Sequence, residues 1–544
     1  MGALSCYLDA LHSPLWEAAM KRERHALHLI SDIMDAITKT NVSRALRQIA
    51  ELETRFSDTT NFLINGPACL IETGQISGDS ELVRRGIELG DKALQMLPED
   101  SEYRGMLHFN IGNGYYCLFG SDRQSDRTID YYDYLPLHKA KTHFRRAIES
   151  NAITDNLKKQ AMVNLANVYD SLGRTVESIH LYERVLATEE SFAMAQANLG
   201  QALAGFAAIC GEYQAATLAQ AYHLISDALS RRSHLLKIGG AAAVEYFERQ
   251  VKEIVARFPD PSVLSKPNLH PPLKTSRLTK REQEYYRFCH ENRLFLNFHI
   301  HVSEVLCRAS VVDNIMFSLI ERPTSQGRFV HLAKYINQIK EDFATARYLL
   351  FLSMHKRPHT TRISQLTKFV DTLDYTENSL YLGMAKAAFG RAYSILDKIG
   401  AFLNAYLDLE TKGHVYFRNI WARKTAGGWE VKETIRQNKK QTLLGLYDVN
   451  RDFQTREYED IRAIRNALVH DRLSLVDEFS LNLCDPHAEE RVVSIDRFKE
   501  RTIDLLLIVK SCISNLVSFV NREEQDKAPG DGLVLPVFYP QQRN

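Results

Sequence analysis

Glu457–Arg472 reads EYEDIRAIRNALVHDR, and this stretch decides how the C-terminal half of the chain is understood. Turned at 100° per residue, Ile461, Ile464 and Leu468 share one apolar face. Glu459, Arg462, Asn466 and His470 fall on the opposite side, within an arc of about 80°. Asn466 and His470 are one turn apart, and Arg465 sits at the edge of the apolar stripe. The pattern predicts an amphipathic helix whose outer face carries reactive side chains. Histidine titrates near neutral pH and serves as acid or base. Arginine keeps its charge and hydrogen-bonds phosphate in a planar fork. Asparagine can orient the histidine or bind a phosphate oxygen. On an ideal helix Arg465 and His470 point about 140° apart. They are therefore expected to converge only if the helix bends or if two chains build the site together. In a purely structural alternative, Arg465 pairs with Glu459 or Asp471 and His470 interacts with the end of its own helix.

Arg465-Asn466-Ala467-Leu468-Val469-His470 resembles the signature of the HEPN superfamily: an arginine, usually a polar residue after it, and a histidine beyond a spacer of four to six. The bare spacing also occurs at Arg22/His28, Arg174/His180 and Arg293/His299, but only Arg465 is followed by Asn. Four helices are predicted around the motif, at about Arg328–His355, Asn378–Leu409, Arg456–Arg472 and Asp496–Glu523, with the motif on the third. The resemblance implies a short four-helix bundle, dimerisation through the motif helix, and a cleft made from two Arg-His pairs. It also implies metal-independent cleavage of RNA through its own 2′-hydroxyl. His470 would be the acid/base, Arg465 would stabilise phosphate and Asn466 would position. Tyr285–His301 precedes the bundle as an extension, with Leu294–Phe298 expected to be buried.

Between the predicted second and third helices, Ala422–Lys440 is basic and interrupted by Gly427-Gly428. Lys424, Lys432 and Arg436, with Arg462, are candidates for guiding RNA, and Trp429 is available to stack on a base. The plainer reading is an exposed loop and helix carrying solvated charges. No phosphate-loop, GxSxG or HExxH pattern occurs, so no cofactor is expected.

Upstream, Phe258–Ser276 holds five of the fifteen prolines and reads as a stiff connector. Before it the chain is helical. Asn164-Leu-Ala-Asn-Val-Tyr169, Leu172-Gly173, Ser178 and Tyr182 are echoed thirty-four residues later by Leu199-Gly200 and Leu203. Asn110–Tyr115 repeats the first pattern, with its second helix delayed to Ala140, Phe144 and Ala147 beyond a polar, Tyr-rich insertion at Ser121–Tyr134. Gly86, Gly90, Ala93 and Pro98 look like the end of an earlier unit. This period and these small residues resemble the tetratricopeptide repeat over roughly residues 45–235, which implies a solenoid with a ligand-binding surface.

The 544 residues are 45% hydrophobic and 25% charged, ordinary for a globular chain and unlike a disordered one. The net charge of +1 divides unevenly. Residues 1–265 carry 27 Lys and Arg against 33 Asp and Glu, residues 266–544 carry 41 against 34, so the basic half is the candidate for a polyanion partner. The eight cysteines are scattered without CxxC spacing and read as reduced thiols of a cytoplasmic protein. His299/His301 and Cys484/His487 have no partner pair at metal-binding spacing, so no metal is expected. No apolar run reaches membrane-spanning length, no secretory signal opens the chain, and position 6 is Cys where a myristoylation site needs Ser or Thr. Lys527–Asn544 is expected to be a free tail or a strap.

The expected protein is all-α. A helical region over 1–257 carries tetratricopeptide-like repeats, 258–276 connects, 277–526 forms a HEPN-like domain, and 527–544 is a tail. The expected function is an endoribonuclease acting on RNA as a homodimer or higher homo-oligomer. It would serve in prokaryotic defence or stress, as an antiviral effector or toxin, with a protein or peptide ligand on the repeats. The alternative is a non-catalytic interaction scaffold.

Overall fold

The computed structural model describes residues 14–124, 129–207, 214–265, 273–297, 327–425, 428–481 and 490–527, isolated positions between 311 and 321, Leu483, and 533–535. Helices make up 75% of the structure, and the fold is all-α. The chain forms two compact units, Met1–Tyr169 and Asp170–Asn544.

The first unit is a succession of helices: α1 (Pro14–Thr38), α2 (Val42–Phe56), α3 (Thr60–Ser77), α4 (Ser80–Met96), α5 (Arg104–Gln124), α6 (Leu135–Glu149) and most of α7 (Asp155–Ser171). Their starts are written locally. Asn41, Thr59 and Asp79 each accept a hydrogen bond from a backbone N–H of the first turn of the helix that follows, satisfying a donor that has no partner within the helix. Neighbours pair as α3 with α4 and α5 with α6. The small residues at the repeat positions are there for close approach. A Cβ at Gly112 would meet the Phe144 ring at 2.8 Å, and one at Gly86 would meet the Pro67 carbonyl at 3.0 Å. The insertion expected at Ser121–Tyr134 is smaller than its composition suggests. Helix α5 runs on through Gln124, Tyr132 is buried, and the Tyr134 hydroxyl donates to Asp122 at 2.7 Å; residues 125–128 lie outside the described residues.

The second unit opens with α8 (Thr175–Thr188), α9 (Ala193–Phe206), α10 (Gln214–Ser230) and α11 (Arg232–Val255), then α12 (Lys280–Glu291). A bundle follows: α13 (Arg328–Met354), α14 (Pro358–Ser364), α15 (Leu380–Tyr406), α16 (Glu433–Arg436), α17 (Gln441–Gln454), α18 (Glu459–His470), α19 (Glu478–Leu481) and α20 (Ile495–Asp526). Helix α15 packs on α13, α18 and α20, and α17 also packs on α20. Three two-stranded ribbons complete the described structure. β1 (Leu319–Glu321) pairs with β6 (Leu533–Leu535), β2 (Ala422–Thr425) with β3 (Gly428–Val431), and β4 (Leu473–Val476) in parallel with β5 (Arg491–Ser494). By length and composition α20 could cross a membrane, but 83% of its most apolar window is buried within the protein. Its side chains are taken up by the bundle core.

Three expectations change. Where Ala422–Lys440 was expected to begin as a loop, its first half is the β2–β3 hairpin, and the helix expected there is the four-residue α16. Helix α17 was not foreseen, because it buries Asp448, Asn450 and Asp452 as well as Leu443, Leu446 and Val449, which erases an amphipathic period. The boundary between compact units falls at Tyr169–Asp170, not at the prolines. Pro261–Ser265 forms a 3₁₀ turn on α10 with Leu264 buried; residues 266–272, with three of the prolines, lie outside the described residues. So do His299, His301, Cys484, His487, Phe298, Gly427 and nearly all of the C-terminal tail.

The boundary shifts because α8 is locked into the bundle. Arg174, fully buried, pairs with Asp448 at 3.1 Å, with Asp452, and with Glu177 at 2.8 Å, and it donates to the Tyr458 hydroxyl. Gly173, at φ +78°, lies against the α17 backbone with no room for a Cβ, and its carbonyl accepts from Asn515 Nδ2 at 3.0 Å. Glu177 in turn accepts from Ser511.

Candidate functional site

Helix α18 is short, twelve residues, and is fixed at both ends. At its start Asp460 meets Arg491 at 2.6 Å, Arg501 at 3.0 Å and Arg497 at 3.5 Å, an acid in the first turn where the helix dipole also favours one. Ile461, Ile464 and Ala467 are buried beneath it. At its end the chain turns extended at Asp471 and enters β4, whose four residues are all buried.

His470 is the last residue of this helix. Arg465 Nη1 lies 3.1 Å from Asn466 Oδ1 and 3.1 Å from His470 Nε2. The three motif residues therefore meet within one chain, without a bend in α18, and the expectation that convergence needs a bend or a second chain is corrected. The helical wheel follows Cα–Cβ directions, whereas a guanidinium on its long stem reaches round the helix end to a terminal residue. The guanidinium can only donate. The contact is a hydrogen bond in the tautomer whose Nε2 is free to accept and whose proton is on Nδ1.

Arg465 stacks over Tyr393 of α15, 5.6 Å from the ring centroid. Among the described residues it has no carboxylate within ion-pair distance, so the pairing with Glu459 or Asp471 is not formed. It lines an open cleft of about 1160 Å³ with Arg462, Asn466 and His470, and with Tyr393, Asp397 and Arg418, which the sequence reading did not single out. Burial pushes the Asp397 carboxyl up, against the pull of the Phe417 N–H and the charges of Arg465 and Arg418. Burial likewise raises the Tyr393 hydroxyl, while Arg465, Arg418 and Arg462 act in the opposite sense. Arg462 donates to the Phe453 carbonyl at 3.2 Å, and Arg418 lies over Tyr416. Arg491 also lines the cleft but is held by Asp460. Tyr393 and Asp397 stand one turn apart on a helix the sequence did predict. Their spacing gives a shared face, but nothing in it says which neighbour that face meets.

The other candidates divide differently. Lys424 and Trp429 face each other in register across the hairpin, and Trp429 is 71% exposed. Neither lines the cleft. Lys432 is committed elsewhere: Nζ donates to the Leu409 carbonyl at 2.9 Å and Thr411 Oγ1 at 2.8 Å, and burial lowers its pKa. It fastens the turn after α15. Arg436, half-buried in the four-residue α16, is also absent from the cleft wall.

Fold and site together define an all-α bundle with an Arg-Asn-His set at the end of one helix. Residues 324–523 match the family model described as LA2681-like HEPN, which supports a HEPN domain in this half of the chain. No curated protein matches the sequence.

Proposed function

We propose that the chain is a metal-independent endoribonuclease whose cleft binds RNA over Arg465. The observation that carries this reading is the state of Arg465: a guanidinium without a carboxylate partner, 3.1 Å from both Asn466 and His470, in a cleft shared with Arg418 and Arg462. The cleft exceeds the roughly 300–1,000 Å³ of small-ligand pockets and suits a strand better than a metabolite. A scissile phosphate drawn to Arg465 and Asn466 would free Nε2 of His470, which then takes the proton of the 2′-hydroxyl. The 2′-oxygen attacks phosphorus, the 5′-oxygen leaves with a proton from an acid, and the products are a 2′,3′-cyclic phosphate and a 5′-hydroxyl.

One imidazole cannot be base and acid in the same step, so a homodimer bringing two Arg465–His470 sets together supplies the second. Val469 on the motif helix and Phe479 and Leu483 further along the chain are all more than half exposed, and such apolar side chains support pairing. The helix pairs ahead of the bundle, read as tetratricopeptide-like, would recruit or sense a protein ligand, and defence or stress is the setting such a nuclease suits.

Purified full-length protein is expected to cut RNA in EDTA, and His470→Ala to abolish cutting while melting normally. Replacing the 2′-hydroxyl by hydrogen at the cut site should block the reaction. Absence of cutting by the wild type would leave the scaffold reading in its place, and equal cutting by His470→Ala would remove the role given to His470.

A further inference from the structure

A second pocket lies in the second unit, where α9, α11, α17 and α20 meet the turn before α8. Its volume is about 250 Å³. Two guanidiniums from distant parts of the chain line it, Arg257 just beyond α11 and Arg522 near the end of α20. Among the described residues neither has an ion-pair or hydrogen-bond partner. The two carboxylates in the wall form no ion pair with them among the described residues. Asp170 accepts from Thr175 Oγ1 at 2.8 Å, and burial raises its pKa. Glu253 accepts from Gln250 Nε2 at 3.1 Å.

The pocket also receives the start of α17, through Gln441 and Thr442. Lys440 occupies the N-cap position without a side-chain cap hydrogen bond. A fourteen-residue helix thus presents the positive end of its dipole and uncapped N–H groups to this space. Thr442 is 7% exposed, and its hydroxyl has no hydrogen-bond partner.

We infer that this pocket binds a small phosphate-bearing anion. Two arginines without ion-pair partners among the described residues, a helix N-terminus, and Thr442, whose buried hydroxyl has no hydrogen-bond partner, line one space. Phosphate is the group that satisfies forked guanidinium donors and helix N–H groups together. The volume limits the ligand to inorganic phosphate, pyrophosphate or a mononucleotide, so the pocket is distinct in size and position from the cleft at Arg465.

The test is calorimetric titration of the intact chain with inorganic phosphate, pyrophosphate and AMP, each up to about 10 mM, beyond the millimolar range where weak sites still register. At least one is expected to bind and to raise the melting temperature. Arg257→Gln with Arg522→Gln should weaken that binding about tenfold or more, and Arg418→Gln with Arg465→Gln should leave it unchanged. Thr442→Val and the single Arg257→Gln, at an exposed side chain, serve if the double variant melts early without ligand; each should weaken binding. The proposal is overturned if none of the three probes binds, or if binding follows Arg418 and Arg465 instead. Because binding is read without cleavage, a chain that cuts no RNA leaves this result intact.

Discussion

Arg174 and Arg465 open the same sequence pattern, an arginine followed by a histidine five or six residues on, and the fold uses them in opposite ways. Arg174 is fully buried among Asp448, Asp452 and Glu177. Arg465 touches an amide, an imidazole and an aromatic face. The two remaining matches resemble Arg174: Arg22 pairs with Asp58 at 2.7 Å and Arg293 with Glu183 at 3.3 Å. What separates a binding arginine from a structural one is its partners. Three carboxylates hold the charge of Arg174, while Arg465 has no ion-pair partner among the described residues, which leaves its charge open to an anion. The spacing to histidine carries almost none of this.

The sharpest way to break the comparison is to remove everything that holds Arg174. A fragment of residues 270–544 keeps the whole Arg465 cleft but loses Gly173, Arg174 and α8, leaving Asp448 and Asp452 without the guanidinium. It is expected not to fold cooperatively by circular dichroism. A fragment melting like the full chain would show that the cluster is incidental.

Next in size is the point-mutant version. Arg174→Met should cost about 3–5 kcal/mol in urea denaturation, the usual result of stranding buried charges, with partial recovery when Asp448 and Asp452 become Asn. Arg465→Ala should cost under about 1 kcal/mol, since no buried ion is left behind.

The two arginines should then exchange ranks in catalysis. Under the nuclease reading, His470→Ala and Arg465→Ala each lower the cleavage rate about 100-fold or more, measured on folded protein at equal concentration.

A smaller effect comes from histidines with neither role. His108 and His143, in α5 and α6, touch through their Nδ1 atoms at 3.1 Å. Burial is the first cause for both and pushes their pKa values down, His108 to about 4 with help from Arg146 and Arg104, and His143 further with help from the charge of His108 and then from Arg146 and Lys139. Both rings are neutral above pH 6.5 in the folded and unfolded chain alike. Below it the unfolded chain takes up protons that the folded pair resists, so stability falls with pH down through about 4. By pH 5 the loss is about 2 kcal/mol for each imidazole. Melts of wild type and His143→Leu across that range should diverge. Smallest of all is Trp429→Ala: the hairpin does not line the cleft, so the RNA cleavage rate is expected to stay within about twofold, a change of under about 0.5 kcal/mol.

The motif and its helix were legible in the sequence because Ile461 and Ile464 mark a face that Asn466 and His470 avoid. The long helices α13, α15 and α20 were legible for the same reason. The contact between Arg465 and His470 was not, since it depends on where α18 stops. Arg418 and Asp397 could not be assigned to the site from one sequence, because only packing brings α15 and the segment after it to α18. Lys432 misled in a different way. A lysine in a basic run looks free until the backbone carbonyl it serves is known. The proline run misled through composition: its described part, Pro261–Ser265, is a 3₁₀ turn, and α8, which precedes it in the chain, packs on the bundle that follows it.

The main-chain contact of Gly173 with α17 has a consequence for inheritance. Nothing wider than a hydrogen can be added at that seam without parting two backbones, and the aspartates that serve Arg174 lie more than 270 residues along the chain. A recombination event at the proline run would deliver each half with a surface fitted to a partner it no longer has. Residues 170–257 and the bundle are therefore expected to travel as one heritable block.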